Sequence, residues 1–250
     1  MPAKANIIKW YKYWMKFRPS LTHQVYYECV AEKIAERVKS HISERRTPLL
    51  LDVGCGQGQL SVLLAEKTGF DVVAMDIIEA PLYDCKKLVR ENGLEGKVNL
   101  VRASVYQLPF RDDSFDIAIS TGYASAATYP GGPEEVSRVV QTDGQLFLDF
   151  IRLPNLYQPI YSIKNYLKYK RALKEQKKVE VNEPPRYGKL GLKERFENKL
   201  DLQIDEVWNV NTSPPLGGKR LRLLFESTLG KLTSPLLART ILVGLKNKKG

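Results

Sequence analysis

The sequence predicts an α/β fold built on a doubly wound, mostly parallel sheet of seven strands. From residue 49 to 151, short apolar runs alternate with helical patterns of about ten residues, as right-handed strand–helix–strand crossovers require. The first run, LLLDV (49–53), is continuously apolar up to its acid, the pattern of a parallel strand covered on both faces. It ends in a glycine cluster, Gly54, Gly56 and Gly58, that opens a helix.

Ahead of the sheet, residues 7–17 (IIKWYKYWMKF) read as a short amphipathic helix with Lys9, Lys12 and Lys16 on one face, ended by Pro19. Residues 21–43 repeat apolar groups at Val25, Cys29, Val30, Ile34 and Val38 and suit a longer helix. A helix over 59–67 follows the glycines, then a strand over 71–77. A helix over 81–92 should stop at Gly93, where a left-handed cap is expected. Strands follow over 98–104 and 115–121, then a helix over 133–140 and a strand over 144–151. Residues 156–179 form a basic, tyrosine-rich helical insertion, and Glu183-Pro184-Pro185-Arg186 breaks the chain. A helix over 189–200, a strand over 202–210, a helix over 219–231 and a strand over 239–245 complete the pattern. The expected organisation is an N-terminal helical lid (1–47), a core (48–152), a basic insertion (153–200) and closing strands of the same sheet (201–250).

Composition narrows the setting. Across 250 residues, a hydrophobic fraction of 43% with 10% aromatics excludes wholesale disorder. No apolar run reaches the length of a membrane-spanning helix, and the opening residues scatter lysine among aromatics, unlike a secretory signal. Cys29, Cys55 and Cys85 are too few and too scattered for a disulfide framework or a zinc site. A reducing cytoplasm is the expected address, with no metal. The net charge of +11 divides unevenly: residues 49–151 hold 8 Lys/Arg against 15 Asp/Glu, residues 1–48 hold 10 against 4, and residues 152–250 hold 21 against 9. An acidic middle lies between two basic arms, which admit nucleic acid, an anionic membrane or a negatively charged substrate as readily as they suit solvated helix faces.

The glycine loop carries the chemistry. Glycines at 54, 56 and 58 let the backbone turn sharply and approach a ligand with no Cβ in the way. Asp76 closes the next strand, where a carboxylate accepts hydrogen bonds from ribose hydroxyls. Together they bind an adenosine-containing cofactor. A dinucleotide fingerprint requires its third glycine at position 59, where Gln59 stands, so a nucleotide-dependent oxidoreductase is the runner-up.

The run Asp52-Val53-Gly54-Cys55-Gly56-Gln57-Gly58 resembles motif I of the class I S-adenosylmethionine-dependent methyltransferases, type 11-like domains in particular. Ser104-Val105-Tyr106-Gln107-Leu108-Pro109-Phe110 resembles the family's adenine-wrapping segment, with Ser104 where an aspartate is frequent. Asp113-Ser114-Phe115-Asp116 resembles its lead-in to strand four, and Glu134-Glu135, Ser137-Arg138-Val139-Val140 and Asp143-Gly144 resemble its E-x-x-R corner. The resemblance implies a Rossmann-like methyltransferase fold and S-adenosylmethionine as cofactor, held by Asp52, Gly54, Cys55, Gly56, Gly58, Asp76, Ile77, Ser104, Val105 and Thr121.

Methyl transfer from a sulfonium is an in-line displacement in which positioning dominates, so no catalytic side chain is obligatory and none is assigned. The acceptor is expected near Ser120-Thr121-Gly122-Tyr123, with Tyr123 a candidate for its pocket and His23 for a general base. An N/D-P-P-Y/F tetrad is absent at that strand tip, and no cysteine follows strands four or five. A small, apolar or aromatic organic acceptor is therefore favoured over RNA or protein. Trp10, Tyr11, Tyr13, Trp14 and Phe17 suit a greasy lid or peripheral contact with a membrane surface. Residues 1–20 and 155–190 are expected to form a lid that orders over bound ligands.

Overall fold

A computed structural model describes residues 21–39, 47–121, 131–152, 186–187, 189–210 and 240–248. In chain order these form α1 (Leu21–Lys39), β1 (Leu49–Val53), α2 (Gln59–Thr68), β2 (Asp71–Asp76), α3 (Glu79–Glu91), β3 (Val98–Arg102), β4 (Phe115–Ser120), α4 (Gly132–Val139), β5 (Val140–Arg152), β6 (Arg186–Tyr187), α5 (Lys189–Leu200), β7 (Leu202–Val210) and β8 (Thr240–Asn247). The helices expected over 7–17, 156–179 and 219–231, the lid segments 1–20 and 155–185, and Tyr123 lie outside the described residues. Among the described residues, no helix is long and apolar enough to cross a membrane.

The strands lie in the order β3-β2-β1-β4-β5-β8-β7. β1 to β5 are parallel, and β8 runs antiparallel to both β5 and β7. Seven strands were expected; the eighth, β6, is two residues long and pairs with β5 at Ile151 and Arg152. Its neighbouring prolines conceal it in the sequence. Two apolar layers flank the sheet. On one face, α1, α2 and α3 bury Val30, Ile34, Leu64 and Val89 against Leu50, Val72 and Phe147. On the other, Val136 and Val139 of α4 and Phe196 of α5 pack against Leu51, Ala118 and Leu146. The α1 face is the one read from the apolar spacing, since Val25, Cys29, Val30, Ile34 and Val38 are all buried.

Several element boundaries differ from the expectation by a residue or more, and in four elements the reason is local. α3 begins at Glu79 because Pro81 lies in its first turn, where no backbone donor is missed. β3 ends at Arg102 because Ser104 and Gln107 close a turn, with Gln107 N donating to Ser104 O at 3.2 Å. β8 runs to Asn247, whose buried amide donates to Val140 O at 2.7 Å and Ser137 O at 3.1 Å. β5 starts at Val140, then slips register against β4 between Phe115 and Ile117. The slip is the Asp143-Gly144 corner: Asp143 has φ 63°. A Cβ on Gly144 would stand 2.8 Å from both Asp116 O and Gln141 O.

The Glu135–Arg138 pair belongs to the same scaffold. Glu135 accepts from Leu108 N at 2.9 Å, while Arg138 donates to Leu108 O at 3.1 Å, Phe110 O at 3.0 Å and Asp112 at 2.7 Å. One ion pair thus fixes the backbone of residues 108–112, which continues from the 104–107 turn beside the cofactor crevice.

Candidate functional site

The strand order reverses between β1 and β4, and in open parallel sheets the crevice outside the carboxyl ends at that point holds the ligand. The glycine loop lies there. Gly54, Gly56 and Gly58 have φ of 81°, 55° and 84°, a region that disfavours side-chain-bearing residues. Gly54 N and Cys55 N both donate to Met75 O, at 2.8 and 2.9 Å, so the loop is stitched to the end of β2. These two amides serve the scaffold and leave the ligand to other groups.

Asp76 sits at the centre. Its Oδ2 accepts from Gly56 N at 3.0 Å and its Oδ1 from Ile78 N at 2.8 Å. Both oxygens are held in place and each keeps a lone pair for a further donor. Burial raises Asp76, while these backbone donors oppose the rise. Nothing lies within 4 Å of where a Cβ on Gly56 would point. An open cradle beside an oriented carboxylate fits the ribose and neighbouring atoms of an adenosine cofactor, and a positively charged cofactor suits the acids around it.

Asp52 is buried at the end of β1, where Ser61 of α2 donates to its Oδ2 at 2.5 Å. Burial is the main cause that raises it from 3.8 to about 7; Asp76 adds to the rise and Ser61 opposes it. A carboxyl raised in the folded state binds more protons there than in the unfolded chain. Its stabilising contribution is therefore present in full below about pH 3.8 and lost as pH rises through about 7. We expect the ligand-free protein to show a falling denaturation midpoint over that window. Asp52→Asn should flatten the fall, and an unchanged slope in the variant would refute the assignment.

Cys55 and Cys85 meet beneath the loop, and that contact with burial pushes the Cys55 thiol up. The Cys55 side chain therefore belongs to the packing under the loop. Ser104 Oγ accepts from Tyr106 N at 3.3 Å and stabilises the 104–107 turn. Val105 packs against the second core face, and Ile77 O accepts from Arg102 Nε at 3.3 Å. Thr121 lies half-buried just past β4. His23 lies in the first turn of α1. No group of three or more His, Cys, Asp or Glu able to hold a metal occurs among the described residues.

Sequence reasoning missed one cluster here. Tyr26 of α1 donates to Asp149 Oδ2 of β5 at 2.5 Å, and both side chains are buried. Tyr27 packs edge-on to Tyr26 with ring centroids 5.3 Å apart. Burial and the carboxylates of Asp52 and Asp149 push its phenol up to about 12. The one signal available was an acid, Asp149, between Leu148 and Phe150 in the apolar stretch of its strand.

Comparison with known proteins places this geometry. Residues 51–148 match the methyltransferase domain family. Over 85 residues the chain is 35% identical to the methyltransferase GfsG of Streptomyces halstedii, covering 34% of this chain and 31% of that one. Over 117 residues it is 30% identical to the ubiquinone/menaquinone biosynthesis C-methyltransferase UbiE of Dinoroseobacter shibae, covering 46% and 47%. The chain thus spans less than half the length of these curated relatives. Among solved structures, the geranyl diphosphate C-methyltransferase of Streptomyces coelicolor superposes with a TM-score of 0.54 at 13% identity, covering 86% of this chain and 77% of that one. The cyclase SpnF superposes with a TM-score of 0.57 at 14% identity, covering 88% and 81%. Residues 51–148 accordingly match a methyltransferase domain, and the chain has the fold seen in class I S-adenosylmethionine-dependent methyltransferases.

Proposed function

We propose that the protein is an S-adenosylmethionine-dependent methyltransferase acting on a small organic acceptor. The observation that carries this reading is Asp76, whose two carboxylate oxygens are fixed by Gly56 N and Ile78 N beside the open face of Gly56. When bound, S-adenosylmethionine supplies an electrophilic methyl group on a cationic sulfur. Asp76 would hold the ribose hydroxyls, the 54–58 loop would lie along the amino-acid portion, and the 104–107 turn would cover the adenine. The Asp76 carboxylate makes this end of the crevice electronegative, which favours a sulfonium over a neutral thioether. The named activities of the C-methyltransferase relatives support a small acceptor, as does the missing N/D-P-P-Y/F tetrad.

The deciding experiment offers methyl-labelled cofactor with total cellular RNA, protein and small-molecule extract in separate reactions. Label should enter the small-molecule fraction. Label confined to RNA or protein would give the basic arms the leading role instead. Calorimetric binding of NADH in preference to S-adenosylhomocysteine would turn the reading to a nucleotide-dependent oxidoreductase.

A further inference from the structure

The glycine loop carries two side chains between its glycines, and one of them ties it to a neighbouring helix. Cys55 packs against the core, whereas Gln57 reaches α3, where its Nε2 donates to Asp84 Oδ2 at 2.9 Å. An ionised carboxylate only accepts, so Asp84 fixes which way the Gln57 amide faces. The amide oxygen is left for Gln59 at the start of α2, whose Nε2 donates to it at 3.4 Å. Asp84, Gln57 and Gln59 strap the loop between two helices.

The strap falls where the backbone is hardest to hold. Gly56 and Gly58, on either side of Gln57, have φ of 55° and 84°, and glycine loses more conformational freedom on ordering than any other residue. Gly56 N donates to Asp76, and Gly58 N donates to Cys55 O at 2.9 Å. Gln57 lies between these two anchors. Asp84 can serve as a fixed post because α3 buries Pro81, Leu82, Cys85 and Val89. Its neighbour Cys85 stands against Gly58, where a Cβ would collide with the sulfur. Consecutive residues of α3 therefore meet consecutive residues of the loop, Asp84 with Gln57 and Cys85 with Gly58. Asp84 is half-buried, and among the described residues it forms no ion pair. Its partner is the loop.

We propose that Asp84 is a positioning residue for the cofactor, acting through Gln57 to hold the glycine loop in the form that binds. This rests on the methyltransferase reading above. The strap acts before the cofactor arrives. A loop that is already ordered loses less freedom on binding, and one that is ordered only part of the time binds more weakly in proportion.

The test is a double-mutant cycle of Gln57→Ala and Asp84→Ala in the full chain, read as S-adenosylhomocysteine affinity by calorimetry. Each single variant should bind roughly threefold to tenfold more weakly than wild type, the range for loss of one intramolecular hydrogen bond. The double variant should bind as the weaker single variant does, because the two changes remove the same bond. Asp84→Asn keeps an acceptor for Gln57 and should bind within about twofold of wild type. In the ligand-free protein, backbone amides of residues 54–62 should exchange faster in Asp84→Ala than in wild type or Asp84→Asn, and bound S-adenosylhomocysteine should close the gap. A pair that merely seats α3 would lower the denaturation midpoint and leave affinity unchanged, which overturns the proposal. Single losses that add in the double variant overturn it too, as does an Asp84→Asn variant as weak as Asp84→Ala. Wild type that fails to bind S-adenosylhomocysteine overturns the methyltransferase reading, and the positioning role falls with it.

Discussion

Asp76→Ala should weaken S-adenosylhomocysteine binding by roughly thirtyfold or more, measured by calorimetry. A hydrogen bond to a charged group is worth about 1.5–3 kcal/mol, and each 1.4 kcal/mol is about tenfold in affinity. One such bond to a ribose hydroxyl accounts for the lower bound. The loss should exceed it, because the same carboxylate fixes Gly56 N and Ile78 N. Asp76→Asn separates the two roles. Its amide oxygen can still accept one of those backbone donors, so it should bind more tightly than the alanine variant and less tightly than wild type. An alanine variant that binds within about threefold of wild type would remove Asp76 from the site.

The second large effect is expected at Gly58→Ala. The residue has φ 84°, and a Cβ there would collide with the Cys85 sulfur from α3. Left-handed backbone costs a residue bearing a Cβ about 1–2 kcal/mol, and an overpacked contact about 1–3 kcal/mol. We therefore expect a loss of about 3 kcal/mol in denaturant unfolding, together with a marked fall in cofactor affinity as the loop shifts. Adding Cys85→Ala deletes the sulfur but leaves the backbone strain, so the double variant should recover about half the loss. Strict additivity of the two single changes would show that the collision is relieved elsewhere.

Local signals explain why much of the fold is legible in the sequence. The β1 run, the three glycines and Asp76 form a contiguous pattern whose parts lie within one strand–helix–strand unit. Both α5 (189–200) and β7 (202–210) match their expected bounds, because each carries its own apolar period. β6 is hidden for the opposite reason: two residues have no period, and only the edge left by β4 makes them a strand. The site divides along the same line. Asp52 and Asp76 could be read from their places at strand ends, whereas the Tyr26–Asp149 bond joins residues 123 positions apart. No motif spacing reports such a pair. The functions of Ser61 and Cys85 were equally silent, since each acts on a neighbour brought by packing.

The place of β8 has a consequence for how the molecule is made. It lies between β5 and β7, although both precede it in the chain. Until residues 240–247 are synthesised, β7 has no partner strand and the β8-facing edge of β5 stays open. The parallel half, β3-β2-β1-β4-β5, can assemble earlier from neighbouring crossovers. An emerging chain would therefore carry an unfinished sheet with an exposed apolar edge at Phe147 and Leu148, the kind of template that recruits other chains. Closure by β8 removes the template, and Asn247 locks it by bonding back to Val140 and Ser137. The β5–β8 pairing joins residues as far apart as Gln145 and Lys246, and non-local pairings of this kind are the ones chains make slowly, with their edges exposed meanwhile.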